Sequence, residues 1–364
     1  MKVIRARNVQ QILPEAMYQL LHVKHTARDS RNGPVLMFDE PVTSVYERPA
    51  ERVMFWAQRD CNPFFHLIES LWMLAGLNSV EPMAQIVENM RSYSDDGVTF
   101  HGAYGYRWRY WFGFDQLALI IENLRANPDC RRQVLSMWDA RSDLRRHDEN
   151  PVPKDLPCNL QAIFQVAPDG RLDMMVTNRS NDMVWGAYGA NAVHFSVLHE
   201  YMARAIGVEQ GIYRQVSANF HTYQNILGKV EELAEMSRDP DVPQDLWAFD
   251  PYQNGLVKPY PLINGSLEEW HRDLEMLWTE PEAVGFKDSF FRRVAMPMAL
   301  AHAAFKNKED PNRFDTALAI LEGVKATDWK QAAVEWIMRR RANWEENQRQ
   351  LREQKAQDDG VIYD

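Results

Sequence analysis

Ile12, Met17, Leu20 and Leu21 recur at helical spacing and predict a helix over residues 7–27. The run Asp29-Ser30-Arg31-Asn32-Gly33-Pro34 reads as the turn that follows it. Short strands are expected at 35–38 and 43–46. A strongly apolar helix is predicted over 64–77, with one acid, Glu69, among Phe65, Leu67, Ile68, Leu71 and Trp72. Another helix over 115–126 stops at Asn127-Pro128. Strand-like runs follow at 133–137, 161–166 and 172–176, the last two joined by Ala167-Pro168-Asp169-Gly170. A long apolar helix over 191–206 is closed by Gly207, and 212–218 reads as a further strand. Beyond about Pro281 the pattern is helical: 290–305, 312–325, and a charged helix over 327–357 carrying Trp329, Trp336, Ile337, Trp344 and Leu351. The predicted fold class is α+β, a catalytic body over 1–280 with an α-helical C-terminal extension over 281–364.

Composition supports a packed protein. Of 364 residues, 45% are hydrophobic and 11% aromatic, with 12 Trp, so a sizeable core is expected. The net charge of −10 disfavours a general nucleic-acid coat and leaves room for a local basic pocket. Three cysteines, Cys61, Cys130 and Cys158, show no metal-type pairing, which suits a reducing cytoplasm and implies no metal. No run approaches the roughly 18–20 apolar residues of a membrane span.

The chemistry-bearing residues gather in three blocks: Asp129-Cys130-Arg131-Arg132-Gln133-Val134, Pro157-Cys158-Asn159-Leu160-Gln161, and Asn178-Arg179-Ser180-Asn181-Asp182 with Asn191 beyond it. A lone cysteine is usually a small buried hydrophobe. Cys158 stands out because Arg179 follows on the adjoining strand, where a guanidinium favours the thiolate. Arg131 and Arg132 open an apolar strand and suit phosphate recognition by rigid paired forks. Arg31 and Ser180 extend that set. Glu69 on an apolar helix face is either an edge salt bridge or a proton-shuttling carboxyl. Asp182 caps a helix or binds an aminopyrimidine ring. His221 and Tyr223, two apart on an extended segment, face one side and suit a sugar hydroxyl, or form a structural pair.

In order and spacing these blocks resemble the thymidylate synthase family and its hydroxymethylase relatives, over about residues 25–230. The resemblance implies a mixed sheet packed against helices. It implies that Cys158 adds to carbon 6 of a pyrimidine deoxynucleotide and that Glu69, in a Glu-x-x-Trp helix with Trp72, handles protons beside Tyr104 of the Tyr-Gly block. Arg31, Arg179 and Ser180 would hold the substrate phosphate, together with Arg131 and Arg132 supplied in trans by the partner in a homodimer. His221 and Tyr223 would hold the ribose, and Asp182, with Trp185 and Gly186 beside it, the cofactor 5,10-methylenetetrahydrofolate. Asn191 would read the base: an amide both donates to O4 and accepts from N3–H of uracil, where cytosine-specific relatives carry an aspartate. That match needs a one-residue insertion in Gly186-Ala187-Tyr188-Gly189-Ala190; otherwise Ala190 falls at the site.

The departures have a direction. The synthases carry a tryptophan shortly before the residue matching Tyr104, which shields the methylene intermediate during hydride transfer; here none occurs between Trp72 and Trp108. Asn159 replaces a histidine and Trp185 a leucine. The chain runs on to Val361-Ile362-Tyr363-Asp364 rather than ending at a site-closing aliphatic residue. These differences favour water over hydride, and the expected reaction is dUMP to 5-hydroxymethyl-dUMP. The rivals are dTMP synthesis, hydroxymethylation of dCMP, and a catalytically inactive nucleotide- or RNA-binding relative. Intact Cys158, Glu69, Arg131, Arg132 and Arg179 argue against the last.

Overall fold

The computed structural model describes residues 1–23, 25–146, 152–236, 250–280 and 285–358. Ten strands form two sheets: β1 (Lys2–Ala6), β2 (His25–Arg28), β3 (Val35–Phe38), β4 (Val42–Tyr46), β5 (Val134–Ser136), β6 (Asn159–Val166), β7 (Leu172–Asn178), β8 (Asn181–Asp182), β9 (Gln210–Ser217) and β10 (Phe220–Tyr223). The larger sheet has the order β1-β4-β9-β7-β6-β5 and the smaller β2-β3-β10-β8. The larger is mixed: β1 runs parallel to β4 and β7 to β9, while β4–β9, β6–β7 and β5–β6 are antiparallel. The fold is therefore α+β, as the pattern predicts.

Eight helices matter for the site: α1 (Val9–His22), α2 (Pro63–Leu74), α3 (Gln116–Ala126), α4 (Asn191–Ile206), α5 (Leu267–Thr279), α6 (Met296–Lys306), α7 (Arg313–Leu321) and α8 (Thr327–Asp358). Asn62 caps α2 by accepting the N–H of Phe65, and Pro63 takes the first turn, where its missing N–H costs nothing. α4 packs between α2 and the sheet, and Phe195, Leu198 and Met202 are fully buried. It ends at Gly207, whose φ of 95° gives the left-handed cap that glycine adopts without strain.

Several elements differ from the pattern, and three of them are instructive. The first helix stops at His22, and 25–28 pairs with β3 instead, because its backbone finds a ladder and its side chains reach no core. β1 is unforeseen, since only Ile4 of it is buried and one apolar contact leaves no alternation to read. α5 is also unforeseen, although Trp270, Leu274 and Leu277 are buried along one face at helical spacing.

Of the helices beyond 285, α6 and α8 pack on α2, and α7 packs on both of them. The ring of Phe64, itself wholly buried, meets His302 at 5.2 Å and Trp336 at 5.7 Å between centroids. Deeper in, Tyr252 Oη donates to Asp328 Oδ2 (3.0 Å) and accepts the N–H of Val53 (3.1 Å). One continuous apolar cluster holds residues from both parts. The 361–364 run lies outside the described residues. No helix among the described residues is long and apolar enough to cross a membrane.

Candidate active site

Cys158 sits where the chain enters β6. The β6–β7 ladder pairs Asn159 with Asn178 and then Gln161 with Thr177, so Leu160 is an extra residue that bends the strand just past the thiol. The carbonyl of Leu160 accepts the N–H groups of Met137 (2.9 Å) and Trp138 (3.0 Å), tying the bend to the end of β5. Tyr104 completes the clamp. Its hydroxyl accepts the N–H groups of Cys158 (3.0 Å) and Asn159 (3.1 Å), fixing the peptides on both sides of the sulfur and leaving the phenol proton to donate elsewhere.

Two guanidinium groups converge on the same segment. Arg179 donates from Nε to Pro157 O (2.8 Å) and from Nη2 to Leu156 O (3.2 Å), and its own N–H bonds Cys158 O (2.9 Å). Arg31 reaches Lys154 O with Nη2 (3.3 Å). Both remain exposed, so each keeps N–H groups for an anion. They do not make the resting thiol acidic, contrary to the expectation for Arg179. Burial raises the Cys158 pKa above its ordinary value; Arg179 and Arg31 pull it down, Asp155 pushes it up, and burial wins. Ser180 is half-buried behind Arg179. Arg131 and Arg132 are exposed at the entry to edge strand β5, and among the described residues no hydrogen bond or ion pair joins either to the surroundings of Cys158.

From the residue after the thiol runs a directed chain of amides. Asn178 Nδ2 donates to Asn159 Oδ1, Asn159 Nδ2 to Asn191 Oδ1 (3.2 Å), and Asn191 Nδ2 to Asn181 Oδ1 (3.1 Å). Asn181 Nδ2 in turn donates to Gln215 Oε1 (3.0 Å) and Ser217 Oγ (3.1 Å), and Gln215 Nε2 to Tyr213 Oη (2.8 Å). All but Asn191 are buried, so each link fixes which way the next amide points. Asn191, and not Ala190, is the residue that joins this chain of amides. The widened helical turns of Met183–Ala190 lead into it, with Gly189 at φ −130° and ψ −111°. Gly186 backs onto the same chain: a Cβ there would lie 2.7 Å from Asn181 Oδ1.

Glu69, on α2, faces α4. Its Oε2 lies 3.0 Å from His194 Nε2, yet the two are not aligned for a hydrogen bond and both atoms are buried without another partner. Such a pair can hold a water or a substrate oxygen. Asp155 adds a second carboxyl, anchored by the N–H of Gly102 (2.9 Å) and raised in pKa chiefly by burial.

The opposite wall is built by β8 and the turns after it. Asp182 caps those turns, its Oδ1 accepting the N–H of Trp185, while Oδ2 is buried with no partner. Burial pushes this carboxyl up to about 6, partly offset by the Trp185 N–H and by Arg59. An orphaned carboxylate oxygen beside the 48%-exposed ring of Trp185 fits the donor groups and the flat ring of a reduced pterin, with Gly186 next in the chain. His221 stands opposite Asp182 in the β8–β10 pairing, and its ring meets that of Tyr223 edge-on at 5.4 Å, so the two do share one side of the strand. Asn32, in the Arg31 turn, reaches Tyr223 Oη at 3.5 Å.

Three residues of this site escaped the sequence reading. His194 was visible in principle, one helical turn past Asn191. Asp155 stands three before the cysteine, where a carboxylate among Pro and Leu is unusual for a loop packed inward. Arg59 carried no signal, since its importance comes from long-range pairing.

The chain belongs to the thymidylate synthase family, whose model matches residues 50–250. Within it the chain is 64% identical, over the full length of both proteins, to the deoxyuridylate hydroxymethyltransferase of Pseudomonas phage M6. It is 34% identical over 69% of its length to the protein of that name from Bacillus phage SP01, of which it covers 66%. To that of Delftia phage PhiW-14 it is 29% identical over about half of each chain (51% and 52%).

Proposed function

We propose that the protein is a one-carbon transferase that converts dUMP to 5-hydroxymethyl-dUMP. The observation that carries this reading is the amide chain ending beside the thiol. Asn191 has spent one N–H on Asn181 and one lone pair on Asn159. What remains is one N–H and one lone pair, in the order in which the amide chain runs. That order gives an N–H for O4 and an acceptor for N3–H of uracil; cytosine presents the reverse and needs the amide turned over against its neighbours. Full-length likeness to a relative named for deoxyuridylate supports the same base.

In this reading Arg31, Arg179 and Ser180 hold the phosphate, joined by Arg131 and Arg132 of the partner in a homodimer, and His221 with Tyr223 holds the ribose. Cys158 Sγ, as thiolate, adds to C6, and the electron pair displaced from the C5–C6 bond makes C5 nucleophilic. The cofactor 5,10-methylenetetrahydrofolate, when bound along Asp182, Trp185 and Gly186, supplies the one-carbon unit at the oxidation level of formaldehyde. Glu69 with His194 takes the C5 proton and holds the water whose oxygen becomes the new hydroxyl. Loss of Sγ from C6 restores the ring and the thiolate.

Incubation with dUMP or dCMP and methylenetetrahydrofolate, followed by mass measurement of the nucleotide, tests the reaction. The expected product is hydroxymethylated dUMP without dihydrofolate absorbance. A methyl product accompanied by dihydrofolate would overturn it in favour of dTMP synthesis.

A further inference from the structure

The arginine run Arg339-Arg340-Arg341 on α8 is paired within the molecule. Arg341 binds Asp315 (2.7 Å) and Glu345 (2.9 Å). Arg339 and Arg340 instead cross to the body and both bind Asp60: Arg339 Nε to Oδ1 at 3.2 Å, Arg340 Nη1 to Oδ1 at 3.1 Å and Nη2 to Oδ2 at 2.6 Å. Arg340 also lies over the ring of Trp336 (4.3 Å), which is packed into the core, so the fork is held before it reaches its partner.

Asp60 is the one described non-glycine residue with a left-handed backbone, at φ 49°. Its N–H and that of Arg59 both donate to Trp56 O (3.2 and 3.1 Å), so 56–60 is a single tight turn. From that turn Arg59 projects the other way, buried, with Nε donating to Val184 O (2.6 Å) and its guanidinium 4.2 Å over the ring of Trp185. Gly189 makes room for it; a Cβ there would lie 2.5 Å from Arg59 Nη2.

We propose that α8 is a positioning element for the cofactor half of the site: Arg339 and Arg340 fix Asp60, its turn fixes Arg59, and Arg59 fixes the 183–190 segment that carries Trp185 and Gly186. The proposal rests on the reading of Asp182, Trp185 and Gly186 as cofactor ligands. It gives the C-terminal extension a function at the site without any residue of α8 touching substrate or cofactor.

The test uses the full chain with Arg339→Ala/Arg340→Ala, and separately with Asp60→Asn, which removes the charge and tolerates the left-handed backbone. Amide hydrogen exchange over 183–190 is measured, together with calorimetric affinities for dUMP and for tetrahydrofolate at saturating dUMP. The expected result in both variants is faster exchange in that segment, tetrahydrofolate affinity about tenfold weaker, and dUMP affinity within about twofold. Arg339→Lys/Arg340→Lys should recover part of the loss. Unchanged exchange in both variants overturns the link and leaves the cofactor reading standing. Faster exchange with unchanged tetrahydrofolate affinity overturns that reading instead. Parallel loss of dUMP and tetrahydrofolate affinity would mean general loosening and would also overturn the proposal.

Discussion

At the scale of residues, the thiol's environment sets a pH dependence. Burial holds Cys158 above the usual thiol range while Arg179 and Arg31 pull it down. Removing Arg179 must therefore raise the thiol pKa further and move the alkaline rise in reactivity to higher pH. Peptide-resolved alkylation of Cys158 against pH should show this for Arg179→Ala, with slower labelling at pH 8 by about tenfold per unit shifted; an unmoved profile would remove Arg179 from the thiol's electrostatics. Peptide resolution is needed because Cys130 is lowered in pKa, chiefly by the Arg132 N–H, and would react first in a bulk assay. The amide chain gives a second expectation. Asn159→Asp offers Asn191 only acceptors on that side, which favours the turned-over amide and so a cytosine pattern. The kcat/KM ratio for dUMP over dCMP should fall by tenfold or more, worth at least about 1.4 kcal/mol; an unchanged ratio would show that the chain does not orient Asn191. Cys158 and Arg179 could be singled out in the sequence because motif spacing carried them, whereas spacing alone left Asn191 and Ala190 as alternatives. The direction of the thiol's shift was not, since it depends on how much protein surrounds the sulfur, which no spacing records.

At the scale of elements, long apolar helices and antiparallel strands were readable because each carries its own periodicity. β1 and β2 were not, because both bury little of their own; β1 exists through pairing with β4, farther along the chain, and β2 through a hairpin with β3, the next strand. The edge of the larger sheet bears on assembly. Among the described residues β5 has a neighbour on one side only, Arg131 and Arg132 stand exposed at its entry, and Val134 is 41% exposed on it. An exposed edge with two solvent-facing arginines suits a second copy of the chain, which would carry those guanidinium groups to the partner's phosphate site. Cys158→Ala and Arg132→Glu proteins, each expected to be inactive, should then complement. Refolded together, half the dimers are mixed and each mixed dimer keeps one intact site, so about one quarter of the wild-type rate should return. No recovery, with mixed dimers demonstrated by mass, would place Arg132 outside the partner's site.

At the scale of the whole molecule, the predicted boundary at residue 280 separates sequence character better than it separates packing. Phe64 at the start of α2 is covered by His302 and Trp336, and Tyr252 joins Val53 to Asp328 through its hydroxyl. A chain ended at 280 would uncover the helix that carries Glu69 and orphan a buried phenol, so it should lose its cooperative melting transition; a truncated chain that melts cooperatively near the full-length temperature would make the extension an independent unit. The buried Asp328 supplies a finer measurement of the same contact. Burial pushes its carboxyl up to about 6, outweighing the Trp329 N–H, the Tyr252 hydroxyl and Arg52. A group raised in the folded state contributes stability that is full below its unfolded value near 3.8 and is lost as pH rises through 6. The two-unit interval corresponds to about 3 kcal/mol, and Asp182 adds a shift of the same sign. Asp328→Asn removes the ionisation and keeps an acceptor for the phenol. Its denaturant-derived stability should therefore fall less between pH 4 and pH 7 than that of the wild type, by about 2 kcal/mol, with the two curves separating between about pH 4 and pH 6 and keeping a constant offset above that. Parallel curves would mean that water reaches Asp328, and that the seam between body and extension is open where the packing of Phe64, Tyr252 and Trp336 requires it to be closed.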